Sequence, residues 1–214
     1  ATPVSTPVSV PASWRGLYVG GGGAYSNVSV LVGQGDCYDS CYWGDYYEYD
    51  DGDGDFGYTL HAGWRFHQYG ALEVSYLDAG PIGWDQDLVY MPEFNDYYNN
   101  RIEYSAKVTE VAVLGILPFG EMFEVYAKLG AAFSEGESVQ RLDQSFGDQV
   151  VTRSVSDNGT DVAWGLGVGV TFAKVFHVRL GFESVGIDED VLNTRNDTTL
   201  DSFLLEGQFR FGGY

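Results

Sequence analysis

The sequence predicts an all-β fold: an eight-stranded antiparallel up-and-down transmembrane β-barrel with short periplasmic turns and four long acidic extracellular loops. Three observations carry this. Apolar and polar residues alternate with a period of two in segment after segment, and no long segment has helical periodicity. The connections between segments alternate strictly between short and long. The polar faces are rich in glycine, where a water-facing surface would carry many Lys and Glu.

The segments follow in order. "GLYVGGGGAYSNVSV" opens the set at 16–30, and "FGYTLHAGWRF" follows. In the latter Phe56, Tyr58, Leu60, Ala62, Trp64 and Phe66 point one way, and Gly57, Thr59, His61, Gly63 and Arg65 the other. "ALEVSYLD" after residue 70 is the third, and "IEYSAKVTEVAVLGIL" before residue 118 is the fourth. "FEVYAKLGAAF" sets Phe123, Val125, Ala127, Leu129, Ala131 and Phe133 against Glu124, Tyr126, Lys128 and Gly130. "WGLGVGVTF" opposes Trp164, Leu166, Val168, Val170 and Phe172 to three glycines and Thr171. "FHVRLGF" opposes His177, Arg179 and Gly181 to Phe176, Val178, Leu180 and Phe182. "FLLEGQFRF" closes the set, with Leu204, Glu206, Gln208 and Arg210 on its polar face.

Three links, "QYG" (68–70), "PFGEM" (118–122) and "AK" (173–174), are of hairpin size. Residues 31–55, 80–101, 134–160 and 186–200 are long, polar and acidic. All tight turns therefore leave one end of the strand set and all long loops the other. Alternation alone leaves open which face is outside. A soluble barrel buries its apolar face, whereas a membrane barrel turns it to lipid and packs polar groups in the lumen. The glycine-rich polar faces favour the membrane reading. So do rings near strand ends, where Tyr58, Trp64, Phe66, Trp164, Phe172, Phe209 and Phe211 become lipid-facing aromatics of two interfacial girdles.

At 214 residues the chain suits one domain. Residues 1–13 read as an N-terminal periplasmic lead and 14–214 as the barrel domain. The small, Pro- and Ser-rich start "ATPVSTPVSVPAS" suggests a mature protein whose signal was removed. Eleven Lys and Arg against thirty-one Asp and Glu give a net charge of −20, which excludes nucleic acid as a partner. Cys37 and Cys41, inside a polar acidic segment, read as a small loop disulfide, because zinc needs more Cys or His than that neighbourhood offers.

With the polar faces inward, the lumen holds Arg65, Glu73, Glu124, Lys128, Arg179, Glu206 and Arg210, with His61 and His177. A barrel of eight strands has room inside only for side chains, and buried charges must pair. A salt-bridge network centred on Glu73, Lys128, Arg179 and Glu206 is therefore expected.

"WRGLYVGGGGAYS", "ALEVSYLDAG", the "LPFG" turn and the closing "LLEGQFRF" resemble the small outer-membrane barrel family typified by the OmpA membrane domain and OmpX. The resemblance spans Trp14 to Phe211 and implies an eight-stranded barrel integral to the outer membrane of a Gram-negative-type cell. It also implies contact with outer-membrane lipid and lipopolysaccharide. In that family a network at positions resembling Glu73, Lys128 and Arg179 acts as a plug or gate. The terminal "FRF" resembles the aromatic-ended assembly signal, here followed by "GGY".

Catalysis is not expected. Some barrels of this kind act on lipid A through His, Ser and a carboxylate near the outer rim. Here His61 precedes Ala-Gly, His67 precedes Gln-Tyr and sits beside a short turn, and His177 precedes Val-Arg. No cofactor is required. "DGDGD" (51–55) imitates the start of a calcium loop but lacks its glycine and closing Glu. Asp50, Asp51, Asp53 and Asp55 remain as irregular oxygen ligands for a divalent cation such as calcium. The Tyr-, Asp- and Asn-rich loops, with "YMPEFNDYYNN" (90–100) a second cluster, have the makings of contact surfaces. Two readings of function stand side by side. One is a structural or surface-interaction protein that is cation-bridged or self-associating as a homo-oligomer or array; the other is a narrow gated pore for small solutes or ions.

Overall fold

The computed structural model describes residues 15–31, 54–91, 96–144, 150–172, 175–189 and 196–211. They form eight strands: β1 (Gly16–Leu31), β2 (Asp55–His67), β3 (Gly70–Met91), β4 (Asp96–Phe119), β5 (Phe123–Gln144), β6 (Val150–Phe172), β7 (Phe176–Glu189) and β8 (Asn196–Phe211). Each pairs antiparallel with the next, and β8 returns to β1 to close a barrel. The closing seam is long, from Leu17 opposite Phe211 to Leu31 opposite Asp197. Closure removes the sheet edges and satisfies every backbone group across the lipid, which an open sheet cannot do. Two tight turns lie at the same end, at residues 68–69 and 120–122. Gly120 has φ +66, in the left-handed region that favours glycine.

The opposite end departs from expectation. Segments 80–101 and 134–160, expected as long loops, are mostly strand. β3, β4, β5 and β6 run for 22, 24, 22 and 23 residues, about twice the 9–11 needed to cross a bilayer. Their pairing continues from β3–β4 (to Met91 opposite Asp96) through β5–β6 (to Asp143 opposite Val150). These extensions read as loops because outside lipid neither face of a strand must be uniformly apolar, so the alternation lapses. The lead 1–13, the 173–174 turn, Cys37, Cys41, Asp50, Asp51 and Asp53 lie outside the described residues.

The long strands are not all paired on both sides. β2 pairs β3 only as far as Tyr58 opposite Asp78. There β3 bulges, with Gly80 at φ +75 and its N–H bonded to the Asp78 side chain at 3.2 Å. β6 pairs β7 only from Phe172 to Ala163. Above these points β3–β6 form a four-stranded sheet that outruns its neighbours among the described residues.

The barrel is inverted relative to a soluble protein. Leu17, Leu60, Trp64, Val113, Leu129, Leu166, Leu205 and many like them are exposed, while Arg65, Glu73, Glu124, Lys128, Arg179 and Glu206 are buried. Lumen glycines make room for the large inward side chains. A Cβ at Gly167 or Gly181 would run into Tyr126, and one at Gly20 into the His61 ring. Toward the long-strand end the lumen changes character. Ala24, Val28, Leu77, Ile82, Tyr104, Val108, Val185, Leu200 and their neighbours form an apolar cluster there.

Candidate functional site

Alternation on five strands aims the charged side chains into a space with little freedom. β3 brings Glu73, β5 brings Glu124 and Lys128, β7 brings Arg179, and β8 brings Glu206 and Arg210, while β2 contributes His61 and Arg65. The seven charged residues expected in the lumen all lie inside it, in two groups.

The central group is built on Arg179. Its guanidinium lies 2.8 Å from Glu73 and 2.9 Å from Glu206, and packs over the Tyr126 ring at 5.2 Å. A planar fork suits two carboxylates at once, where an ammonium would reach them only as a point charge. Tyr18 donates to Glu73 at 2.9 Å, and His61 Nδ1 sits 3.1 Å from Glu206. Lys128 adjoins this group, 3.8 Å from Glu73. Its closer partners are Glu110 at 2.5 Å and Glu183 at 2.8 Å, and it also donates to Ser75 at 3.2 Å.

The second group lies near the tight turns and is built on Glu124. Arg65 approaches at 2.7 Å, Arg210 at 3.0 Å and His177 Nε2 at 3.0 Å. Arg65 also donates to the Gln68 carbonyl at 2.7 Å, tying the group to the β2–β3 turn. His177 Nδ1 pairs with the Thr171 hydroxyl at 2.9 Å. Thr171, His177 and Glu124 thus have the connectivity of a nucleophile, a base and an orienting acid. All three are buried, and Glu124 is already taken by two arginines. The geometry serves pairing within the wall.

Sequence reasoning missed Glu110, Glu183, Tyr18, Ser75 and the hydroxyl of Thr171 as network members. Glu183 was within reach, because it continues the parity of His177, Arg179 and Gly181 by one step. Glu110 was harder, since "VTEVAVLGIL" is apolar on both faces and its parity assigns no side. Among the expected lipid-facing aromatics, Tyr58, Trp64, Phe66, Trp164, Phe172, Phe209 and Phe211 are all exposed. Several stand in ring contact along the barrel wall, as with Trp64–Phe66 at 5.8 Å and Phe209–Phe211 at 5.0 Å between centroids. Asp55 opens β2 and accepts the N–H of Phe56 at 2.6 Å. Among the described residues no three His, Cys, Asp or Glu side chains gather in a way that could hold a metal ion.

A closed barrel with ions inside and rings outside defines a transmembrane β-barrel. The model of the outer membrane protein beta-barrel domain family matches residues 2–211, and the chain belongs to that family. It is an integral protein of the outer membrane of Gram-negative bacteria. Among solved structures it resembles Ail, the attachment invasion locus protein of Yersinia pestis, at 18% identity and a TM-score of 0.52, covering 92% of this chain and 99% of that one. OprG from Pseudomonas aeruginosa is similar at 10% identity and TM-score 0.51, over 94% and 99% of the two chains. Neisserial surface protein A is similar at 13% identity and TM-score 0.50, over 91% and 97%. At these identities the likeness is one of fold. Comparison of the sequence with curated proteins gives no match.

Proposed function

We propose that the protein is a surface-interaction protein that associates with further copies of itself through the extracellular sheet β3–β6, with divalent cations bridging the acidic surfaces. One observation carries this reading. β6 continues past Ala163 to Val150 without pairing to β7, whose described residues end at Glu189. Such an edge presents a row of backbone donors and acceptors, and an added strand satisfies them. The facing edge of β3 is blunted by Pro81 and the Gly80 bulge, whereas "VVTRSVSDNGT" on β6 contains no proline. Copies with a net charge of −20 repel one another in water, so association needs cations to screen or bridge the surfaces. The same acid surplus disfavours polyanionic partners. Ail has been crystallised with a heparin analogue, sucrose octasulfate; this chain's charge favours cations or basic surfaces instead. Lipopolysaccharide enters the same scheme through cations shared between its phosphates and the carboxylates of Asp50, Asp51, Asp53 and Asp55. No catalytic role is proposed.

Sedimentation of the detergent-solubilised barrel with calcium, and again after EDTA, tests the reading. Calcium is expected to produce dimers or larger species, and both EDTA and Ser154→Pro to return monomers. A particle size indifferent to calcium and to Ser154→Pro would discard self-association. The pore reading is a separate matter, because conduction requires the Arg179 and Lys128 pairs to part. Discrete conductance steps in planar bilayers would favour it.

A further inference from the structure

β6 descends from Val150 on the extracellular side to Phe172 at the tight-turn end. On one side β5 accompanies it, from Asp143 opposite Val150 to Phe123 opposite Val170. On the other side β7 stops pairing at Ala163 opposite Val185. Carried on in that register, Glu189, the last residue of β7, would reach only the level of Gly159. The stretch from Val150 to Asn158 therefore rises past the end of β7, with one edge open among the described residues. Its sequence is complementary to itself in one direction. In an antiparallel pair centred on Val155, Arg153 of each copy stands opposite Asp157 of the other, so opposite charges meet twice. Moving the centre to Ser154 or Ser156 sets Arg153 opposite Val155 or Gly159 and loses both matches. Two copies running parallel about a two-fold axis are in register, which sets Arg153 against Arg153 and Asp157 against Asp157. Like charges directly opposed across strands are destabilising.

Strand direction decides which copies can meet in this way. Two copies in one membrane are related by an axis along the membrane normal, so both β6 strands descend together. Barrel strands tilt by about 35–45°, well short of the right angle at which such an axis would set them antiparallel. Antiparallel pairing therefore needs copies that face each other from two membranes. We infer that the open edge of β6 joins two copies of this protein carried by opposed outer membranes, as an antiparallel β6–β6 pair centred on Val155. The inference rests on the self-association proposed above and adds its orientation and register. One partner uses up each edge, so the contact closes at two copies. At about 3.3 Å per residue, the stretch from Val155 to the exposed Val162 keeps the two hydrocarbon surfaces within roughly 45 Å of each other.

Clustering of phosphatidylcholine vesicles in calcium tests this. One population carries the parent barrel and another, with a different dye, the charge-swapped variant Arg153→Asp/Asp157→Arg. The swap leaves composition and net charge unchanged, so attraction that depends on net charge alone treats the two populations alike. Parent vesicles are expected to cluster with parent, and swapped with swapped. Clustering between the populations is expected to be about tenfold slower, because both opposed pairs then become like-charged. Folded mobility on unheated gels verifies the swapped barrel. Equal clustering in all three mixtures, or a folded swapped barrel that fails to cluster with itself, would overturn the register. Parent vesicles that stay apart, while calcium gives dimers in detergent, would overturn the opposed-membrane orientation and leave self-association standing. Neither dimers nor clustering would discard both readings together.

Discussion

The two halves of this barrel solve the same packing problem with opposite chemistry. On the tight-turn side the lumen is ionic and the outer wall is hydrocarbon; toward the long-strand side the lumen is apolar and the surroundings are acidic. The charges divide in the same way. Among the described residues, five basic ones (Arg15, Arg65, Lys128, Arg179, Arg210) and six acidic ones (Glu73, Glu110, Glu121, Glu124, Glu183, Glu206) belong to the first half, and these nearly balance. The other described residues, fifteen acids against four bases, belong to the second, which therefore carries most of the net negative charge of the described residues. The difference follows from solvent. In lipid an apolar lumen gains nothing over the apolar exterior, so specific pairing holds the wall together. In water an apolar cluster recovers the hydrophobic drive, and surface charge costs little.

The largest effect should come from breaking the pairing in the lipid half. Arg179→Met leaves Glu73 and Glu206 without the cation that joins them at 2.8 and 2.9 Å. Removing one partner from a buried ion set costs about 3–5 kcal/mol, because the remaining charge stays buried. Urea unfolding in lipid vesicles, read by gel mobility, should show that loss. Adding Glu73→Gln and Glu206→Gln to Arg179→Met should restore much of it. If Arg179→Met matched the parent protein, pairing would not be what distinguishes the two halves.

A second contrast uses the outside of the wall. Leu166 lies between Trp164 and Phe172 on β6 and faces lipid, whereas Glu135 is exposed on β5 beyond Phe133. An arginine on the lipid face near mid-bilayer costs about 2–4 kcal/mol, falling to about 0–1 near the interface. Leu166→Arg should therefore destabilise strongly in the same unfolding measurement and Glu135→Arg hardly at all. Equal effects would mean that the membrane band is not where the exposed rings place it.

The lipid half was legible in the sequence and the aqueous half was not, for the same physical reason. Within the bilayer each strand must show one face to hydrocarbon and the other to the lumen. Strands such as Phe56–Phe66 and Phe203–Phe211 therefore carry strict alternation, and the residues of both faces follow from parity. The lumen charges follow too, since Arg65, Glu73, Lys128 and Glu206 each have the parity opposite to the lipid-facing residues of their strand. Outside the bilayer that constraint lapses. Residues 80–91, 96–101 and 134–144 pair with their neighbours as strand, with bulges in the first stretch, although neither face is uniformly apolar. Local pattern cannot register such pairing, because the partner supplies the hydrogen bonds. Partners within the lumen were illegible for a related reason. That Lys128 meets Glu110 and Glu183 more closely than Glu73 depends on stagger between β4, β5 and β7, which no single strand encodes.

The gentlest test separates the halves without introducing a charge. Ile82 is fully buried in the apolar cluster between the extracellular stretches of the strands. Ile82→Val removes one methyl group and should cost about 0.5–1.5 kcal/mol. The location of the loss matters more than its size. If the cluster stabilises the aqueous half as a separate unit, amide exchange should quicken in the extracellular stretches of β3–β6. The amides of β5 around Lys128 and of β8 around Glu206, whose neighbours are ions, should keep their protection. Exchange that rose equally in both halves would show one cooperative unit. The ionic lumen and the apolar cluster would then be two fillings of a single core, with the change of chemistry between them set by the solvent outside the wall and not by a boundary in the fold.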